Sequence, residues 1–174
     1  EDDIELFKVS RWKRAFIFSA GSLFNILFAF VILTAVFIIG KNLDLPGALM
    51  LSAETVWEIL SATLVFIMNS FTGYGTLEGV SGPVGIAVIA GKAASKGALI
   101  LCYFTGVLSL SFGIMNLLPL PALDGGHIVM LIIESVRRKP LSPNTYQWVT
   151  VAGLALFLIL TVAVTYRDIA KLIV

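Results

Sequence analysis

Asn116-Leu117-Leu118-Pro119-Leu120-Pro121-Ala122-Leu123-Asp124-Gly125-Gly126-His127 is the stretch on which the reading of this chain turns. An uncharged apolar segment runs into two closely spaced prolines, then meets a carboxylate and a pair of glycines. Placing Asp at the centre of a bilayer-spanning helix costs roughly 2.5–3.5 kcal/mol, so an acid in such a place is a functional-site candidate. Pro119 and Pro121 cannot continue a helical ladder, because each lacks an N–H and constrains the residue before it. Irregular backbone at membrane depth is tolerated only where protein or a wet cavity surrounds it. A second reading stands level with this one: a helix ending at the interface, with Asp124 as the N-cap of the next helix.

Working outward, composition fixes the class. The chain has 174 residues, of which 58% are hydrophobic and 13% charged, with a mean hydropathy of +0.97. A soluble domain is about half apolar and about a quarter charged, so this is an integral membrane protein and the lipid bilayer is its solvent. The net charge of +1, spread along the chain, excludes a nucleic-acid partner. The single Cys102 can form no internal disulfide and is expected to act as a small core hydrophobe. The sequence begins at Glu1 with an acidic, amphipathic stretch rather than a signal peptide. A reading frame starts with Met, so the chain is expected to be part of a longer one.

Residues 15–40, 97–123 and 145–166 are uncharged runs of spanning length, the last flanked by Tyr146, Trp148 and Tyr166 as interfacial anchors. In 54–71, Val56, Leu60, Leu64, Ile67, Met68 and Phe71 recur at helical spacing behind Glu54 and Glu58. That pattern predicts an amphipathic helix at the interface. Residues 72–83 are Gly-rich and read as a loop, Gly85–Ala94 as a short helix, and 41–53 as an exposed connection. The expected architecture is all-α: three transmembrane helices plus one short interfacial helix. Lys8, Arg11, Lys13 and Arg14 precede the first span, and Arg137, Arg138 and Lys139 lie between the second and third. The positive-inside rule then puts the N-terminus and the 124–144 loop in the cytoplasm, with Asp124 near the cytoplasmic end of the second span.

No Lys or Arg lies inside a span, so Asp124 has no evident buried cation partner in this chain. It could relay protons, bind an ion or ligate a metal. His127 falls on the same face if 124–135 is helical, but two donors alone make no zinc site, and a polar residue at a helix start is its plainer reading. Asn25 lies well inside the first span beyond Ala20-Gly21-Ser22, where an amide serves as interhelical glue or as a substrate contact. Thr105, Ser109 and Ser111 read as hydroxyls bonded to backbone.

The Asn116–His127 stretch resembles the Leu-Asp-Gly region of the site-2 proteases, zinc metalloproteases that cut transmembrane helices within the bilayer. Ser81-Gly82-Pro83-Val84-Gly85-Ile86 looks like that family's Gly-Pro loop, and Ala20–Asn25 like the Gly-rich start of its second core helix. The three motifs occur in the family's order, and the bacterial branch with periplasmic PDZ modules fits best. The resemblance implies that Asp124 is the carboxylate ligand of a catalytic Zn²⁺. The other donors would be the two His of an HExxH helix whose Glu activates the water. It makes Asn25, Asn116, Pro119, Pro121, Gly82 and Pro83 substrate-binding or site-supporting residues. The implied partner is a single-span membrane protein, such as a membrane anti-sigma factor or a remnant signal peptide, and the implied location is the bacterial inner membrane.

The sequence departs from that pattern. It has no HExxH, and His127 is its only histidine. No PDZ-sized domain occupies the 41–53 connection, where the family inserts one. Ser22 replaces the Pro common after the glycine, and Ser111 stands where relatives often have Asn. Two alternatives therefore stand beside a protease: an ion- or proton-coupled transporter element built on the Pro-broken span, and a catalytically inactive relative that binds a transmembrane helix.

Overall fold

The computed structural model describes residues 10–72 and 81–173. Every regular element among them is a helix: α1 (Arg11–Lys41), α2 (Leu45–Thr72), α3 (Pro83–Ser95), α4 (Ala98–Asn116), α5 (Asp124–Arg137) and α6 (Pro143–Ile173). The all-α membrane class holds, and the count of long helices differs. Among the described residues four helices could cross a membrane by length and composition: α1, α2 over Leu45–Asn69, α4 and α6. Phe16, Leu27, Val31, Leu154, Leu160 and Val162 are exposed along α1 and α6. Helices apolar on all sides are those solvated by lipid. Cys102, expected in the core, is also exposed.

The additional long helix arises from a misread punctuation mark. Pro46 and Gly47 read as breakers, yet both sit in the first turn of α2, where backbone N–H groups have no intrahelical partner to lose. Asp44 caps that turn: its side chain accepts the Gly47 N–H at 3.1 Å and its carbonyl the Ala48 N–H at 2.9 Å. Asn42 takes the left-handed conformation at φ 55°, so the non-helical connection shrinks from 41–53 to Asn42–Asp44. The short helix expected at Gly85–Ala94 is α3. Of the loop expected at 72–83, residues 73–80 lie outside the described residues.

The chain divides into two compact units. One contains Ile26–Ser111 and the end of α6 from Leu160. Its core is Leu33 and Phe37 of α1 with Ala48 of α2, flanked by Ile38, Leu43, Leu51 and Val107. Buried Thr34 donates to Ser52 at 3.0 Å, joining α1 to α2 where each hydroxyl also bonds its own helix.

The other unit contains the chain up to Asn25 and Phe112–Ile159. Here α5 runs antiparallel to the start of α1: Ser22 meets Asp124, Phe18 stacks on His127, and Arg14 pairs with Glu134. The 124–144 segment is therefore mostly helix, and only 138–142 connects α5 to α6. Arg138 ends α5 in a left-handed conformation at φ 55°. The Arg14–Glu134 pair is nearly fully buried, at 3.1 Å. Arg14 also donates to the Tyr146 hydroxyl at 2.9 Å, and Glu134 accepts the Leu141 N–H at 3.0 Å. This network puts the basic residues opening α1 and those closing α5 at one end of the unit.

Removing one partner of a buried ion pair strands the other charge, at a cost of about 3–5 kcal/mol, whereas replacing both with apolar groups is often neutral. Arg14→Met and Glu134→Met, each alone, should lower the thermal midpoint of the detergent-solubilised protein by several degrees. The double variant should recover most of that loss. Additive losses in this double-mutant cycle would show that the pair is not coupled.

Candidate functional site

The site is built around the non-helical segment between α4 and α5. Four of its amides find partners at short range. Leu117 N–H donates to Gly113 and Ile114 carbonyls, Leu118 N–H to Met115, Leu120 N–H to Leu118 at 2.7 Å, and Leu123 N–H to Leu120. Pro119 and Pro121 have no N–H to satisfy, which suits an apolar layer where an unpaired donor costs several kcal/mol. In the backbone they open the helix at two positions that have no amide to leave unpaired. Ala122 adopts φ 71°, a left-handed conformation that costs a non-glycine residue about 1–2 kcal/mol.

Three glycines hold this segment by close approach. A Cβ on Gly125 would strike the Leu117 and Leu118 carbonyls, one on Gly126 the Leu120 carbonyl, and one on Gly153 of α6 the Pro121 backbone. None of these obstacles is a flexible side chain that could move aside. Gly153 was not singled out by sequence, because a lone glycine inside a long apolar helix carries no local signal.

Asp124 is the first residue of α5 rather than its N-cap, which is Leu123. Its carboxylate is half-buried, and Oδ2 accepts a 2.7 Å hydrogen bond from Ser22, a fully buried hydroxyl on α1. Gly21 next to it leaves Oδ2 at ordinary van der Waals distance, 3.8 Å from where a Cβ would stand. At 1.5 Å of rise per residue, Ser22 lies about 12 Å along α1 from Arg14, within the uncharged stretch of that helix.

The other candidates fall in different places. Asn25 follows Ser22 on the same face of α1 by helical spacing, and Asn116 ends α4; both are half-buried and belong to the unit that holds Asp124. The His127 ring is stacked between Phe18 at 4.8 Å and Tyr146 at 6.3 Å, with a buried Nδ1 that has no hydrogen-bond partner among the described residues. Gly82 and Pro83 belong to the other unit. There Pro83 opens α3, and the Gly82 and Gly85 N–H groups each donate at 2.8 Å to Oδ2 of buried Asp168 on α6. A Cβ at either glycine would come within 2.9 Å of that oxygen. The Gly-Pro-x-Gly pattern thus serves a remote helix cap, aided by the dipole at the start of α3. Asp168 was missed because nothing local distinguishes it from a solvated charge at a helix end.

The three acids differ in how they are compensated. Glu134 has a guanidinium and an amide, and Asp168 has two amides of a helix N-terminus. Asp124 stands in the first turn of α5, at the positive end of that helix, with one neutral hydroxyl as its hydrogen-bond donor; Oδ1 takes no hydrogen bond among the described residues. A carboxylate so placed fits a divalent cation as one oxygen donor. The set is not completed here: among the described residues no three His, Cys, Asp or Glu come together, and the sequence holds one histidine.

Comparison with known proteins bears on this chemistry. A family model described as Peptidase family M50 matches residues 1–160. The chain is 43% identical to the zinc metalloprotease RasP of Shouchella clausii over 102 residues, 59% of this chain and 24% of that protein. It is 39% identical to a candidate zinc metalloprotease of Streptococcus pneumoniae over 126 residues, 72% of this chain and 29% of that one. With a candidate zinc metalloprotease of Rhizobium meliloti it shares 37% identity over 113 residues, 65% of this chain and 30% of that one. The chain thus spans less than a third of the length of these relatives.

Inserting a methyl group where it meets fixed backbone costs about 1–3 kcal/mol or more. Gly125→Ala, Gly126→Ala and Gly153→Ala should each lower the thermal midpoint markedly. Gly91→Ala, on α3 with nothing within 4 Å, should be neutral or stabilising by about 0.5–1 kcal/mol. Equal midpoints for all four variants would show that the segment is not held by these contacts.

Proposed function

The chain belongs to peptidase family M50, and from that premise we propose that it forms part of an intramembrane zinc metallo-endopeptidase that cleaves transmembrane segments. Asp124 is the carboxylate ligand of the metal. The observation that carries this reading is the state of that side chain: an acid among apolar helices, with one hydroxyl as its donor and its other oxygen open. Supplying a cation answers the electrostatic deficit that Arg14 answers for Glu134. The remaining protein donors, an HExxH pair with its catalytic Glu, are contributed by residues outside this sequence. Bound to such a set, Zn²⁺ would lower the pKa of its water towards about 7 and polarise the scissile carbonyl.

This chain's own residues supply position and access. The 117–123 segment leaves backbone groups available beside Asp124 at a depth where a substrate helix has all of its own bonded. Asn25 and Asn116, near the two ends of that arrangement, would hydrogen-bond the unwound substrate strand. The substrate is a single-span membrane protein, of which a membrane anti-sigma factor is one example. The enzyme is a multi-pass protein of the bacterial inner membrane, with a periplasmic PDZ module in the intact molecule. The shared end of the two basic clusters supports a cytoplasmic placement for the start of α1 and the α5–α6 connection.

In the intact protein, Asp124→Asn should abolish cleavage of a reporter transmembrane segment while expression and membrane insertion stay at wild-type level. Full proteolysis by that variant would remove the ligand assignment. A chelator should stop cleavage, and added Zn²⁺ should restore it; inhibition that zinc cannot reverse would count against a metal mechanism.

A further inference from the structure

We infer that Ser22 is a positioning residue for the metal ligand. It holds Asp124 Oδ2 and so turns Oδ1, which takes no hydrogen bond among the described residues, toward the cation. The inference rests on the ligand reading of Asp124 and goes beyond it by assigning the two oxygens different tasks.

The habit of the other helical hydroxyls shows how unusual Ser22 is. Ser19, Thr34, Ser52, Thr55, Thr105 and Ser111 each donate to the backbone carbonyl one turn back, the default for a hydroxyl inside an apolar helix. Ser22 has the same carbonyl geometry available on α1 and instead donates across to α5, at 2.7 Å, with no exposed surface of its own. That length is typical of a hydroxyl donating to a carboxylate, a bond about twice as strong as a neutral one. It locks the carboxyl rotation, and the backbone beneath is already fixed by Gly125 and Gly126 against the 117–120 carbonyls. Held at both ends, the carboxylate presents one oxygen in a single orientation. Ligating carboxylates are commonly steadied by such a neighbour, and losing it typically costs 10–100-fold in metal affinity.

The test uses the full-length protein in detergent, with Zn²⁺ as the probe and no substrate. Ser22→Ala should bind Zn²⁺ about 10–100-fold more weakly in chelator competition, with the metal-free protein folded at a thermal midpoint lowered by the lost hydrogen bond. Its Co²⁺-substituted form should show an altered visible spectrum. Ser22→Thr, which keeps the oxygen, should return both readouts towards wild type. Wild-type Zn²⁺ affinity and spectrum in Ser22→Ala, with weakened binding in Asp124→Asn, would overturn this inference while leaving the ligand reading standing. Undiminished binding in Asp124→Asn would overturn the ligand reading itself. Equal losses in Ser22→Ala and Ser22→Thr would trace the effect to packing and would also overturn the positioning role.

Discussion

A chain that abandons the helix among apolar helices must find partners for its freed amides and carbonyls, and the arrangement of the 117–123 segment follows from that constraint. Two of its positions are proline, which removes the donors altogether. The amides of Leu117, Leu118, Leu120 and Leu123 bond carbonyls two to four residues back. What remains is a knot of carbonyls, and Gly125, Gly126 and Gly153 are the surfaces against which it rests. The helical start at Asp124 and the depth of its carboxylate depend on that packing. A bulkier residue at any of the three positions pushes the knot outward and takes the acid with it.

What the sequence disclosed, and what it hid, divides along the line between local and tertiary signals. The prolines, the acid and the glycine pair are neighbours in the chain, and their incompatibility with a plain apolar helix is visible without a structure. The partner of the acid is not. Ser22 stands 102 residues from Asp124, in a run of small residues that reads as a close-packing face. Its one distinguishing mark was that it broke a family pattern, and that mark carried no sign of what it bonds. Asp168 was hidden in the same way, as a charge at the end of a long helix whose partners are amides in a different part of the chain.

The misreading of α2 has a different cause. Proline and glycine are strong breakers within a helix and good residues in its first turn, so their meaning depends on where the helix begins. Asp44 settles that question by capping Gly47, and the apparent linker becomes the opening of a helix. The periodicity from Val56 onward was read correctly as helical. Its true start lies earlier, where the pattern of Leu45, Ala48, Leu49 and Ser52 gives no clean amphipathic face.

The contrast among Glu134, Asp168 and Asp124 carries the argument about chemistry further than any one of them. Each is an acid withdrawn at least partly from water, and each must be compensated. Folding supplies Glu134 with a guanidinium, and it supplies Asp168 with the positive end of a helix; both are closed structural solutions. At Asp124 the fold uses three glycines, two prolines and a left-handed alanine to place the carboxylate, and then gives it the start of α5 and one hydroxyl donor, with no cation. Had the acid served packing alone, an asparagine or serine at the start of α5 would fill the space without the desolvation cost. An expensive position, rigidly built and incompletely compensated, is what a ligand-binding group requires and what a structural group avoids.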